Sequence, residues 1–171
     1  SKFDHCLVDM LYRCSIGTLN MDIAAVISNH DTARELVDRE GIPFHHIPVT
    51  ADTKQDAETQ IRKIISETGA ELVILARYMQ ILSSDLTNSY PGKIINIHHS
   101  FLPSFKGAEP YSQAYHRGVK MIGATAHYVT PNLDEGPIIA QQVVPVRHDM
   151  SVENMIDAGQ EIEQSVMAKA I

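Results

Sequence analysis

Residues 72–98 read LVILARYMQILSSDLTNSYPGKIINIH, and this stretch decides the fold. Leu72-Val73-Ile74-Leu75-Ala76 is an unbroken apolar run, the pattern of a strand covered on both faces. Ser83 to Asn88 reads as a short helix, and Tyr90-Pro91-Gly92 is turn chemistry. Ile94-Ile95-Asn96-Ile97-His98 then reads as a second strand. Strand, helix and strand with short connections predict a right-handed crossover and parallel neighbours in one sheet. Such a sheet keeps its ligand crevice beyond the carboxyl ends of its strands.

The alternation continues in both directions. Toward the start, His5 to Arg13 carries Cys6, Leu7, Met10, Leu11 and Cys14 at helical spacing. Ile23 to Ile27 is a short apolar run before the loop Ser28-Asn29-His30-Asp31. Thr32 to Arg39 reads as a helix stopped at Gly41, and Phe44 to Val49 as a strand. Lys54 to Thr68 predicts a helix that buries Ala57, Ile61, Ile64 and Ile65, stops at Gly69 and shows a charged, solvated face. Toward the end, Gln113 to Arg117 is a short helix stopped at Gly118. Ile122 to Val129 and Ile138 to Val146 are strands close enough to pair antiparallel. The last helix has Ser151 as N-cap and Val152, Met155, Ile156, Gly159, Ile162 and Val166 on one face. The expectation is one α/β domain over residues 1–171, with a Rossmann-like mixed, mainly parallel sheet flanked by helices.

Composition narrows the function. The chain has 171 residues, 44% hydrophobic and 20% charged, which is ordinary for a globular domain and excludes collagen, a mucin-like stalk or a wholly disordered tail. Fourteen Lys and Arg against 21 Asp and Glu leave a formal charge of −7, which argues against nucleic acid or an anionic membrane as partner. No apolar run approaches the ~20 residues of a spanning helix. Cys6 and Cys14 match no CxxC or zinc spacing and read as reduced thiols of a cytosolic protein. Cys6, near a helix start, is either an activated thiol or a small buried residue. His45-His46 has no third ligand at a useful spacing, so no metal site is predicted. No GxGxxG, Walker or HExxH motif occurs, and Ser100 lacks a nucleophile-elbow context. Ser1-Lys2-Phe3-Asp4-His5 lacks the basic start and apolar stretch of a signal peptide, and both ends read as cut.

The chemistry concentrates at the end of the second strand. Asn96 and His98 are two apart, so their side chains share one side. A carboxamide, two imidazoles (His98, His99) and the Ser100 hydroxyl on an inner strand are costly unless hydrogen-bonded or used. Asp134 lies in the turn-rich loop Asn132-Leu133-Asp134-Glu135-Gly136-Pro137 between two apolar strands. It is either a solvated turn acid or a carboxylate that orients His98 and raises its pKa.

Asn96-Ile97-His98-His99-Ser100-Phe101-Leu102-Pro103-Ser104-Phe105-Lys106-Gly107, followed by Asp134-Glu135-Gly136-Pro137, resembles the formyl-tetrahydrofolate enzymes. That superfamily holds glycinamide ribonucleotide formyltransferase, methionyl-tRNA formyltransferase and formyltetrahydrofolate deformylase, and its active-site asparagine, histidine and aspartate match Asn96, His98 and Asp134. The resemblance is closest to the deformylases. It rests on the doubled His98-His99, on Gly107-Ala108-Glu109-Pro110-Tyr111, on Gly123-Ala124-Thr125-Ala126-His127-Tyr128-Val129, and on Ser1-Lys2-Phe3-Asp4-His5-Cys6 where the transferase has a glycine-rich phosphate loop. Three departures stand out within residues 1–171: they are expected to span no ACT-type regulatory domain and no first strand or C-terminal tail of the catalytic domain, and Gln80 stands where relatives often place a basic residue.

The resemblance implies a formyltransferase-like fold and hydrolysis of 10-formyltetrahydrofolate to tetrahydrofolate and formate, which would feed purine synthesis and balance one-carbon folate pools. It implies no cofactor beyond that folate substrate, no nucleic-acid or membrane partner, and a cytoplasmic homo-oligomer. Asn96 and His98 would stabilise the oxyanion and Asp134 the attacking water. Tyr78, Met79, Gln80, Ile81 and Leu82, with Val129, would line the pterin site. By the same resemblance His127 faces this region, as a partner of Asp134 or in a structural hydrogen bond. The alternatives are formyl transfer to an amine acceptor and a non-catalytic folate-binding module.

Overall fold

The computed structural model describes residues 2–104 and 109–171. Ser1 and the motif residues Phe105, Lys106, Gly107 and Ala108 lie outside the described residues. Twelve elements alternate along the chain. They are α1 (His5–Ser15), β1 (Val26–Ser28), α2 (Arg34–Arg39), β2 (Phe44–His46), α3 (Lys54–Thr68), β3 (Val73–Leu75), α4 (Ser84–Ser89), β4 (Ile94–His98), α5 (Pro110–His116), β5 (Met121–Tyr128), β6 (Ile138–Pro145) and α6 (Val152–Ala170). The chemistry of their ends explains their bounds. The Ser83 hydroxyl accepts from the Leu86 N–H at the start of α4, and Ser151 forms a capping box with Asn154 at the start of α6. α5 begins earlier than expected, at Pro110, because proline at a first helical position needs no hydrogen-bonded N–H. β2 ends at His46, before Pro48, although the Ile47 N–H still reaches the Ser28 carbonyl.

The sheet is mixed. β1 pairs with β2 in parallel, and β3-β4-β5-β6 form a second group in that order. β3 and β4 are parallel, with Leu75 opposite Asn96; β4–β5 and β5–β6 are antiparallel. Among the described residues two pairings are parallel and two antiparallel, the latter because the long β5–β6 hairpin follows β4 directly in the sheet. The parallel strands β1 and β3 face each other across an apolar cleft of about 780 Å³, lined by Val26, Ile27, Val73, Ile74 and Leu75. β3 is accordingly half-buried rather than covered on both faces.

α1 and α6 cover one face of β4 and β5. Cys6, Met10, Ile95, Ile97, Ala124, Ala126, Ile162, Val166 and Met167 form the core there. Burying Ile95 and Ile97 contributes about 2 kcal/mol each. Strand alternation then sends Asn96 and His98 to the opposite face, and a slip by one residue would exchange them with the isoleucines. No helix among the described residues is long and apolar enough to cross a membrane.

Candidate active site

The end of β4 is clamped by Thr125 on β5. Its hydroxyl donates to the Ser100 carbonyl at 2.9 Å and accepts from the Leu102 N–H and Gln141 Nε2, each at 3.0 Å. This buried hydroxyl fixes the turn that follows His98. The β5–β6 connection is held as tightly. The Tyr128 N–H donates to the Pro137 carbonyl and the Val129 N–H to the Ile94 carbonyl, each at 2.9 Å. A Cβ on Gly136 would lie 1.7 Å from the Tyr128 carbonyl oxygen, so only glycine lets the loop pass. Asp134 takes a left-handed backbone, φ +55°, which a short polar side chain tolerates.

These constraints fold Asp134 inward. Its side chain is only 8% exposed, which overturns the reading of a solvated turn acid. Oδ2 stands 3.5 Å from His98 Nδ1, and Oδ1 stands 3.7 Å from His127 Nε2. His127 Nδ1 lies 2.9 Å from its neighbour's carbonyl at Tyr128, so that nitrogen carries the proton. In the neutral ring Nε2 is then an acceptor, and it takes a hydrogen bond from Asn96 Nδ2 at 3.3 Å. That bond orients the Asn96 amide and leaves a second N–H for another acceptor. When His127 carries both protons its Nε2–H faces Asp134 instead, and this interaction, with the His98 charge adding to it, holds the Asp134 carboxyl below its ordinary range against the opposing effect of burial. Asn96, His98, Asp134 and His127 thus lie together.

The remaining expected residues follow β3 and β5. Tyr78 and Leu82 line the β1–β3 cleft, Met79 and Ile81 are more than half exposed, and Gln80 is half-buried. Val129 is half-buried beside Ile94, at the amino end of β4.

Behind the cluster lies a polar group that motif reading missed. His99 stacks on His98 with centroids 5.3 Å apart and rings 24° from parallel, and it touches Tyr111 at 6.1 Å. Burial, helped by the charges of Arg77 and His98, pushes the His99 pKa down to about 4, so the ring is neutral. The Tyr111 hydroxyl donates to Glu163 Oε1 at 2.7 Å, His5 Nε2 lies 2.8 Å from Oε2, and Arg77 Nη1 stands 3.5 Å from Oε1. Burial alone would raise the Glu163 carboxyl, but His5, Arg77 and Tyr111 together hold it below its ordinary value. The signal in sequence was one acid between Ile162 and Val166 on the apolar face of α6.

His5, Cys6 and Glu163 offer ligand atoms within 4.8 Å of one another, the one such group among the described residues. The Arg77 guanidinium already neutralises that carboxylate, and burial pushes the Cys6 thiol far up, which keeps it protonated and a poor ligand. Cys6 is the small buried residue of the two readings, 2% exposed.

Known proteins share this sequence pattern and fold. The formyl transferase family model matches residues 1–171. The chain is similar to a formyltetrahydrofolate deformylase of Corynebacterium sp. (strain P-1), 56% identical over 171 residues that make up all of this chain and 60% of that protein. It is also similar to the crystal structure of a formyltetrahydrofolate deformylase from Pseudomonas syringae pv. tomato str. DC3000. There the TM-score is 0.96 at 50% identity, covering 99% of this chain and 57% of that one. Glycinamide ribonucleotide transformylase 1 from Symbiobacterium toebii shares the fold at TM-score 0.91 and 33% identity, covering 98% and 80% respectively. The chain spans about three-fifths of the length of the deformylases it matches. Matched from end to end by that model and carrying the same fold, the chain belongs to the formyl transferase family.

Proposed function

We propose that this chain carries the active site of a hydrolase that converts 10-formyltetrahydrofolate to tetrahydrofolate and formate. The observation that carries the reading is the meeting of Asn96, His98 and Asp134 at the end of β4, with Asp134 buried against two imidazoles. The similarity to formyltetrahydrofolate deformylases supports it over the transferases, which match at lower identity.

The chemistry follows from the charges. Water adds to the formyl carbon, and negative charge grows on the formyl oxygen. The free Asn96 N–H and a His98 N–H donate to that oxygen, worth about 3 kcal/mol per donor. Asp134 is a carboxylate with a lowered pKa, hence a weak base. Its stronger roles are to hold His98 in its protonated form by charge and to orient the attacking water. The proton that the attacking water sheds passes to Asp134 or to a water it holds, N10 takes up a proton from His98 or from that water, and the C–N bond breaks to leave tetrahydrofolate and formate; where His98 was the donor, the proton at Asp134 restores it. His127 keeps the Asn96 amide turned toward the formyl oxygen. Tyr78 to Leu82 and Val129 supply apolar walls for the pterin, and no cofactor besides the folate itself takes part.

The deciding measurement is formate release from 10-formyltetrahydrofolate with no acceptor present. Release without an amine supports hydrolysis. Release only when a ribonucleotide amine is added would make the protein a transferase, and folate binding without turnover would make it a binding module. The same reading places the protein in the cytoplasm as a homo-oligomer, in a longer chain with an ACT-type domain and a C-terminal tail. It also places a further strand between β1 and β3; the amides of both strands should then exchange slowly with solvent in the longer chain.

A further inference from the structure

The Glu163 cluster has the marks of a built support. Glu163 is completely buried on α6. Gly159 lies one turn earlier on the same helix, and a Cβ there would sit 2.1 Å from the Tyr111 hydroxyl oxygen. Glycine is a poor helix former, so its presence in mid-helix marks a requirement for space. The notch lets the Tyr111 hydroxyl reach Glu163 at 2.7 Å, and a carboxylate shared with His5 and Arg77 does not swing away. The same tyrosine ring leans on His99, and His99 stacks on His98. His98 and His99 sit where β4 passes into a bend, beyond regular strand pairing for His99.

We propose that Tyr111 is a positioning residue for His98. Tethered to Glu163 in the notch of Gly159, it backs His99 and so holds the His98 imidazole at the angle where Nδ1 faces Asp134. Displacement of a reacting group by about 1 Å costs as much as a hundredfold in rate, and His98 stacks directly on the ring that Tyr111 backs. The kinetic part of this proposal rests on the hydrolase reading; the geometric part does not.

The test uses two variants of the full-length protein. Tyr111→Phe removes the tether and keeps the ring. Gly159→Ala keeps every hydrogen-bonding group and pushes the ring out of its notch. Nitrogen-15 spectra of the histidine rings, without substrate, report on His98 directly. Both variants should shift or broaden the His98 ring signals, and kcat for formate release should fall about tenfold with KM unchanged. A merely structural role would lower the melting temperature and leave the His98 signals and kcat in place, which would overturn the proposal. So would a rise in KM at constant kcat. Should Gly159→Ala fail to fold, Tyr111→Phe decides alone. Should the wild-type protein release no formate, the hydrolase reading falls and the ring spectra still judge the positioning role.

Discussion

Asn96 owes its orientation to one lone pair. Nε2 of His127 accepts from the amide because the other ring nitrogen is committed to the Tyr128 carbonyl. Under the proposed reading Asn96→Ala removes an oxyanion donor without disturbing the isoleucines on either side, so kcat for formate release should drop roughly 10²–10³-fold while KM changes little. Asp134→Asn should have a comparable effect, read in the same assay. Because the Asp134 carboxyl titrates below its ordinary value, it stays ionised throughout the neutral and mildly acidic range. Any acid limb of kcat above about pH 5 therefore belongs to an imidazole and should persist in the residual activity of Asp134→Asn. Cys6 carries a prediction of its own. Its thiol is buried and its pKa pushed far up, so iodoacetamide at about pH 8 should leave it unmodified in the folded protein and label it after unfolding.

Among the elements, the β5–β6 connection shows how far sequence patterns reach. The two strands and the turn residues between them were legible, because alternation and Gly-Pro chemistry are local. That the loop folds back to bury Asp134 was not, because it depends on the space beside the Tyr128 carbonyl. Gly136→Ala should force the loop outward, lower the melting temperature by several degrees and cut kcat through Asp134; calorimetry and the formate assay would show both. Helices tell the same story. The apolar positions of α3 and α6 were readable from their period, yet each buries an acid that the period marks as misplaced. Glu58 accepts from the Ser83 N–H at 2.8 Å and Glu163 from the Tyr111 hydroxyl, both through contacts distant in sequence. β3 was overread for the same reason. Its composition describes a strand buried on both sides, but the neighbour on one side is a cleft.

For the molecule as a whole, the buried imidazoles and carboxylates set its response to acid. His99 titrates at about 4 in the folded state, against about 6.5 for an unperturbed histidine. The unfolded chain therefore takes up a proton first. Stability from this group is complete above about pH 6.5 and falls as pH drops toward 4, by on the order of 3 kcal/mol. Asp134 and Glu163, held below their ordinary values, lose their contributions at lower pH still, so the losses run in one direction. Urea unfolding at about pH 7 and about pH 5 should show this decline, and His99→Asn should flatten it. The fold class could be read from the order of elements, but the grouping of Asn96, His98 and Asp134 only from the resemblance of one motif, because β5 runs antiparallel to β4 and does not by itself carry Asp134 to the rim where His98 lies. The brace behind that rim could not, since it joins α1, α5, α6 and the exit of β3 across the interior.

The gap between β1 and β3 leaves two strand borders facing one apolar cleft, and borders of that kind accept an extended segment of suitable pattern. A polypeptide restricted to residues 1–171 should therefore scatter light increasingly with time in concentrated solution, whereas the longer chain, which under the proposed reading fills the slot with a strand of its own, should stay clear.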